Sequence, residues 1–115
     1  MSRDLSFWKN TKKYGCTHEE VYRKLSEGEF VEGLDTLPVE DIMNEFINEF
    51  GDWERLTPLC FEREDSSFEI MINEQFVRVD CYSMSEQDMN TIIDIMDKFK
   101  CPLYDSVIDV RFDGE

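Results

Sequence analysis

The sequence predicts a single α+β domain, with one antiparallel or mixed sheet of four to five strands and helices packed on one face. Three observations predict it. Phe68, Ile70 and Ile72, and then Val77, Val79 and Cys81, alternate with other residues at the period of a strand. Two later stretches carry apolar residues at helical spacing: Val39, Ile42, Met43, Phe46, Ile47 and Phe50, then Met89, Ile92, Ile93, Met96 and Phe99. The patterns follow the order β-α-α-β-β-β-α-β, which one sheet with helices laid against it accommodates. A ferredoxin-like core with an added helix is the simplest topology of that order.

Leu5 and Phe7 alternate with Ser6 and Trp8 and predict a short first strand over 4–8. A basic turn from Lys9 to Gly15 follows. Thr17-His18-Glu19-Glu20 reads as a capping box opening a helix to about Ser26, with Val21, Tyr22 and Leu25 on one side and Gly28 closing it. Residues 29–38 form a connector. The helix from Val39 to Phe50 ends at Gly51, and Leu59-Cys60-Phe61-Glu62 reads as a short strand. Glu62 to Ser66 reads as a turn, and Asn73-Glu74 as a tight hairpin between the two alternating strands. Both sides of the second of these strands carry bulky residues, which predicts a central position. Ser85-Glu86-Gln87-Asp88 reads as a second capping box. Its helix ends at Cys101-Pro102, with Lys98 and Lys100 at the end that the macrodipole favours for cations. A last strand is expected over Ser106 to Phe112, with Ile108, Val110 and Phe112 on its inner face.

A chain of 115 residues fits one such domain and needs no staple. With 41% hydrophobic and 34% charged residues, five Gly and three Pro, it is neither collagen-like nor of disordered composition. No apolar run approaches the ~20 residues that span a bilayer. The first ten residues lack the apolar core of a secretory signal, so a cytoplasmic protein is expected.

Charge is the outlying property. The formal net charge is −15, with 12 Lys and Arg against 27 Asp and Glu. Residues 1–26 carry six basic and three acidic groups, whereas residues 27–115 carry six basic and 24 acidic ones. A field of that sign repels nucleic acid and anionic membranes and draws in basic proteins, so no direct nucleic-acid or membrane binding is expected.

Motifs for catalysis are absent. There is one histidine, His18, in the first turn of a capped helix, so any Ser/His/Asp or Cys/His centre would depend on it. No GxSxG, GxGxxG or GKS/GKT stretch occurs. Cys16, Cys60, Cys81 and Cys101 lie 44, 21 and 20 residues apart, far from the short spacings of a zinc site, and read as small buried hydrophobes. Asp105, Asp109 and Asp113 recur every fourth residue, yet the alternation of Ile108, Val110 and Phe112 makes that segment a strand. The calcium-loop pattern is missing. No catalytic, metal or cofactor residue is therefore assigned, and the chain is expected not to be an enzyme.

One surface stands out instead. The outer face of the 39–50 helix carries Glu40, Asp41, Asn44, Glu45 and Glu49, continued by Asp52 and Glu54, with no basic residue. Asp41/Glu45 and Glu45/Glu49 are like-charge i,i+4 pairs, each costing a few tenths of a kcal/mol. A surface tuned for stability would interleave lysine. Such a row suits a basic partner, and Glu62, Glu64 and Asp65 form a second acidic cluster.

The opening Ser2-Arg3-Asp4-Leu5-Ser6-Phe7-Trp8, the middle Gln75-Phe76-Val77-Arg78-Val79-Asp80-Cys81-Tyr82 and the close Cys101-Pro102-Leu103-Tyr104-Asp105 resemble a group of small acidic bacterial proteins that open S-x-D-L-x-F-W. In size, charge and architecture the chain also resembles the immunity proteins of bacterial toxin systems, contact-dependent inhibition among them. That resemblance implies a cytosolic, non-enzymatic protein that neutralises a cognate basic, nuclease-type toxin by occupying its active or substrate-binding surface. It implies no particular residues, because immunity proteins use surfaces that differ from pair to pair. Two alternatives stay open: a phage-type nucleic-acid mimic that blocks a defence nuclease, and a small enzyme or ligand-binding domain with a polar pocket. The oligomeric state is not read from the sequence.

Overall fold

The structure is a computed structural model that describes residues 2–9, 17–106, 108 and 110–112. In chain order its elements are β1 (Ser2–Phe7), α1 (His18–Ser26), α2 (Val39–Glu49), β2 (Glu54–Thr57), β3 (Cys60–Arg63), β4 (Ser66–Ile72), β5 (Val77–Tyr82), α3 (Glu86–Lys98), β6 (Leu103–Asp105) and β7 (Val110–Arg111). The strands form one open sheet in the order β2-β3-β4-β5-β1-β6-β7. Every neighbouring pair is antiparallel. The first strand of the chain thus lies inside the sheet, between β5 and β6.

The helices begin where local chemistry dictates. Thr17 Oγ1 accepts from the Glu20 N–H at 3.2 Å, and Ser85 Oγ accepts from the Asp88 N–H at 3.1 Å. Each satisfies a backbone donor that the first turn leaves orphaned. Gly28 follows α1 at φ +80°, a conformation that suits a residue without Cβ. Helix α2 has Pro38 at its N-cap and no side-chain cap, so its packing stripe carries it: Ile42 and Phe46 are buried, with Phe50 buried just beyond.

Both faces of the sheet are covered, by different helices. On one face Leu5, Phe7, Phe68, Ile70, Val77, Val79 and Cys81 meet Ile42, Phe46, Ile92, Ile95 and Met96 of α2 and α3. An aromatic knot closes this core at the β3–β4 side. There Phe50 and Trp53 lie 4.7 and 5.3 Å from Phe68, and Phe61 stacks on Phe68 at 5.0 Å. Such ring pairs add about 0.5–1.5 kcal/mol each beyond the area they bury. On the other face α1 lays Val21 and Leu25 against Trp8, Phe76 and Tyr104. Gln75 anchors the connector to this second core: its side chain accepts from the Val31 N–H and donates to the Val31 carbonyl, both at 2.9 Å.

Several expectations are corrected. Among the described residues the sheet has seven strands rather than four to five. Helices lie on both faces rather than one, because Trp8, Phe76 and Tyr104 supply a second apolar surface for α1 to cover. Strand β2 was not anticipated, since all four of its residues are exposed and show no alternation. Glu62 and Arg63 belong to β3, which leaves Glu64 and Asp65 to make the turn, Glu64 at φ 56°. Between β4 and β5 the reversal takes Asn73 to Phe76, closed by Asn73 N–H to the Phe76 carbonyl at 2.9 Å. In α3 Ile95 is buried, while Ile93 is only half-buried. The single last strand is in fact β6 and β7. Ile108, Val110 and Phe112 are 58%, 39% and 55% exposed, and it is Arg111 that is buried, donating to the Trp8 carbonyl at 2.6 Å with its guanidinium over the Trp8 ring. Cys16, Asp109 and Asp113 lie outside the described residues.

Candidate functional site: two acidic surfaces

The first surface is the outer side of α2. Glu40, Asp41, Asn44 and Glu49 are exposed, and Glu45 is half-buried. Glu40 and Asp41 sit in the first turn, where the macrodipole favours an anion. Glu49 sits in the last turn, where it does not, and that turn holds no basic residue. One cation reaches the row from the neighbouring helix: Lys98 of α3 places Nζ 2.6 Å from Glu45 Oε1. The hydrogen bond to Glu45, then the charges of Glu45, Glu49 and Asp94, raise the Lys98 pKa and keep it cationic. Asp52, past the end of α2, pairs with Arg63 at 3.3 Å yet keeps a 72% exposed side chain.

The second expected cluster is divided. Glu64 and Asp65 are exposed in the β3–β4 turn. Glu62 points to the opposite side of the sheet from α2, because its neighbour Phe61 points into the α2/α3 core.

There Glu62 joins a surface that sequence reasoning did not assemble. Register places Glu54 opposite Glu62, Glu69 opposite Asp80 and Asp80 opposite Asp4. Alternation puts these carboxylates, with Cys60, Arg78 and Tyr82, on the face that α1 covers only in part. The α1 core reaches Met71 on β4 and goes no further across the sheet. Beyond it Glu69 and Tyr82 are exposed and Cys60, Glu62, Asp80 and Asp4 are half-buried. The signal lay in the polar positions of the alternating strands, which come together only once the strand order is known.

Part of this surface is tied down. Asp4 accepts from Tyr22 Oη at 2.8 Å and from Ser106 Oγ at 3.1 Å, and Asp80 accepts from Arg78 Nε at 3.0 Å. Burial, then the hydrogen bond and charge of Asp4, push the Tyr22 phenol up. Burial works against the Arg78 charge, but Asp80, Tyr22 and Asp4 outweigh it and its pKa is raised. Burial, then Glu69 and Glu62, raise the Cys60 thiol and keep it protonated. Arg3, Asp4, Arg78, Asp80 and Tyr82 line a polar recess of about 170 Å³. That is below the ~300 Å³ at which small-molecule pockets begin, and its carboxylates are already engaged. His18 lies elsewhere, half-buried with its ring 6.2 Å from that of Tyr104.

Among the described residues, no group of three or more His, Cys, Asp or Glu is placed to hold a metal ion. No helix among them is long and apolar enough to cross a membrane. Cys81 and Cys101 are buried free thiols, pushed by burial up to about 12 and about 11, which makes them poor nucleophiles. No protein-family model, no curated protein and no solved structure matches this chain.

Proposed function

We propose that this chain is a non-enzymatic acidic binding protein that neutralises a basic, nuclease-type toxin of its own system, as immunity proteins do. The observation that carries the reading is the α2 row. Glu40, Asp41, Asn44 and Glu49 stand exposed along one helix face and run on to Asp52, with Lys98 set against Glu45 and Arg63 against Asp52. A nuclease presents Lys and Arg to phosphates, and carboxylates spaced along a rigid helix compete for the same groups and speed encounter. We read β4-β5-β1-β6 with α2 and α3 on one face as a ferredoxin-like core. In that reading the core holds the row rigid, and α1, β2, β3 and β7 are additions.

The test is charge reversal on the folded protein. Glu40, Asp41 and Glu49 are changed together to lysine, and both forms are used to capture partners from the source cell. The unchanged protein should retain a basic protein that the reversed one does not. Association of that pair should slow about tenfold or more between low and high salt. An association rate that ignores salt, or capture that survives the reversal, overturns the reading.

A further inference from the structure

We infer that the uncovered sheet face on β2, β3, β4 and β5 is a second docking surface, one that takes an arginine-bearing segment of the basic partner. This rests on the reading that the partner is basic, and adds where and by what chemistry it is held.

Three things on this face point to that occupant. The first is charge: Glu54, Glu62, Glu69 and Asp80 project from it, and the two basic side chains beside them are engaged, Arg78 by Asp80 and Arg3 by Asp105. The second is register. Directly opposed like charges destabilise a sheet, yet Glu54 faces Glu62 and Glu69 faces Asp80, which in turn faces Asp4. Among the described residues the Glu69 and Glu62 side chains make no ion pair or hydrogen bond, so the repulsion at Glu69 is relieved only in part, through the pairing of Asp80 with Arg78. Guanidinium groups laid between the opposed carboxylates would relieve it, and their planar fork suits carboxylates held side by side. The third is Tyr82, 45% exposed beside the carboxylates, whose ring offers a guanidinium a stacking surface. Among the described residues the helix core that covers this face elsewhere reaches β4 only at Met71, which leaves Glu69 and Tyr82 exposed.

The experiment uses the whole chain and a nine-arginine peptide as probe, with backbone amide shifts followed by NMR at low salt. Binding is then measured for Glu62→Gln/Glu69→Gln, for Tyr82→Ser, and for Glu29→Gln/Glu32→Gln, which removes the same charge from the exposed connector. Shifts should appear on β2 to β5 as well as on α2. The Glu62/Glu69 pair should weaken binding roughly two- to fivefold per carboxylate, the range of an exposed ion pair. The connector pair should change it little. Glu69→Gln should also raise the unfolding midpoint, a gain that a merely structural carboxylate would not show. Shifts confined to α2, or equal weakening by the connector pair, overturn this inference and leave the basic-partner reading standing. Absence of saturable binding overturns both. Concentration-dependent shifts of the same amides without peptide would seat a second copy there and overturn it as well.

Discussion

The guanidinium of Arg63 lies 4.6 Å from the Trp53 ring centroid, while its terminal nitrogens reach Asp52 and Asp88 at 3.3 Å each. One side chain thus ties β3 to the segment after α2 and to the first turn of α3. It also roofs the aromatic knot of Phe50, Trp53 and Phe68. A cation over a ring contributes about 0.5–1 kcal/mol at an exposed site, and each exposed ion pair at most about as much. Arg63→Ala should therefore destabilise by about 1–2 kcal/mol, measured by urea unfolding followed through tryptophan emission. A loss below about 0.3 kcal/mol would mean that the stack contributes nothing. Asp52 would lose its cation at the same time, so the variant should attract a basic probe more strongly.

Lys98 bears on the α2 row in the opposite sense. It is the basic group set against Glu45, and it screens the middle of the row. Lys98→Gln leaves Glu45 uncompensated between Asp41 and Glu49. Association with the nine-arginine peptide at low salt should speed up, with the increase vanishing at high salt as the field is screened. Rates read by stopped-flow at two ionic strengths decide it. An unchanged rate at low salt would mean that the row does not steer encounter.

The parts of the fold that the sequence foretold are those fixed by local chemistry. Thr17 and Ser85 mark helix starts because the missing backbone partners of a first turn are satisfied within three residues. The α2 stripe and the inward sides of β4 and β5 follow from periodicity over stretches long enough to show it. The exposure of the α2 acids follows from the same stripe. What escaped was set by distant pairing. Strand β2 owes its place to hydrogen bonds with β3 and not to any buried side chain, so it leaves no apolar pattern. Trp8, Phe76 and Tyr104 stand far apart in sequence and become one surface only when β1 lies between β5 and β6. The acidic sheet face escaped for the same reason, since Glu54, Glu62, Glu69, Asp80 and Asp4 come from five strands. A bulky aromatic such as Trp8, on the opposite parity from Leu5 and Phe7, was the available sign that the sheet's second face is covered.

The misread C-terminal segment gives a direct contrast. Phe112 was expected to face the core and is 55% exposed, whereas Ile95, which was not expected there, is 1% exposed. Phe112→Ser should change stability by no more than about 0.5 kcal/mol, as surface substitutions do. Ile95→Ala should cost about 2–5 kcal/mol through lost burial and the cavity left between α3 and the sheet. Equilibrium unfolding of the two variants checks both, and a large loss for Phe112→Ser would place that ring in the core after all.

Cys81 makes stability depend on pH at the alkaline end. Burial, then the neighbouring Asp80, push its thiol from the ordinary 9.0 up to about 12 in the folded chain. A group whose pKa is raised by folding contributes fully below its unfolded pKa and loses that contribution as pH rises toward the folded value. The unfolded chain sheds this proton from about pH 9, whereas the folded chain holds it to about 12, so stability must fall across that window. Cys101, raised to about 11, adds to the fall in the same direction. Cys81→Ala removes the larger contribution. Although it loses some packing in the core beside Phe68, its decline in stability from pH 8.5 to 10.5 should be shallower than that of the unchanged protein. Urea midpoints measured under reducing conditions at several pH values test this. Parallel curves for the two proteins would mean that the thiol titrates alike in the folded and unfolded chains.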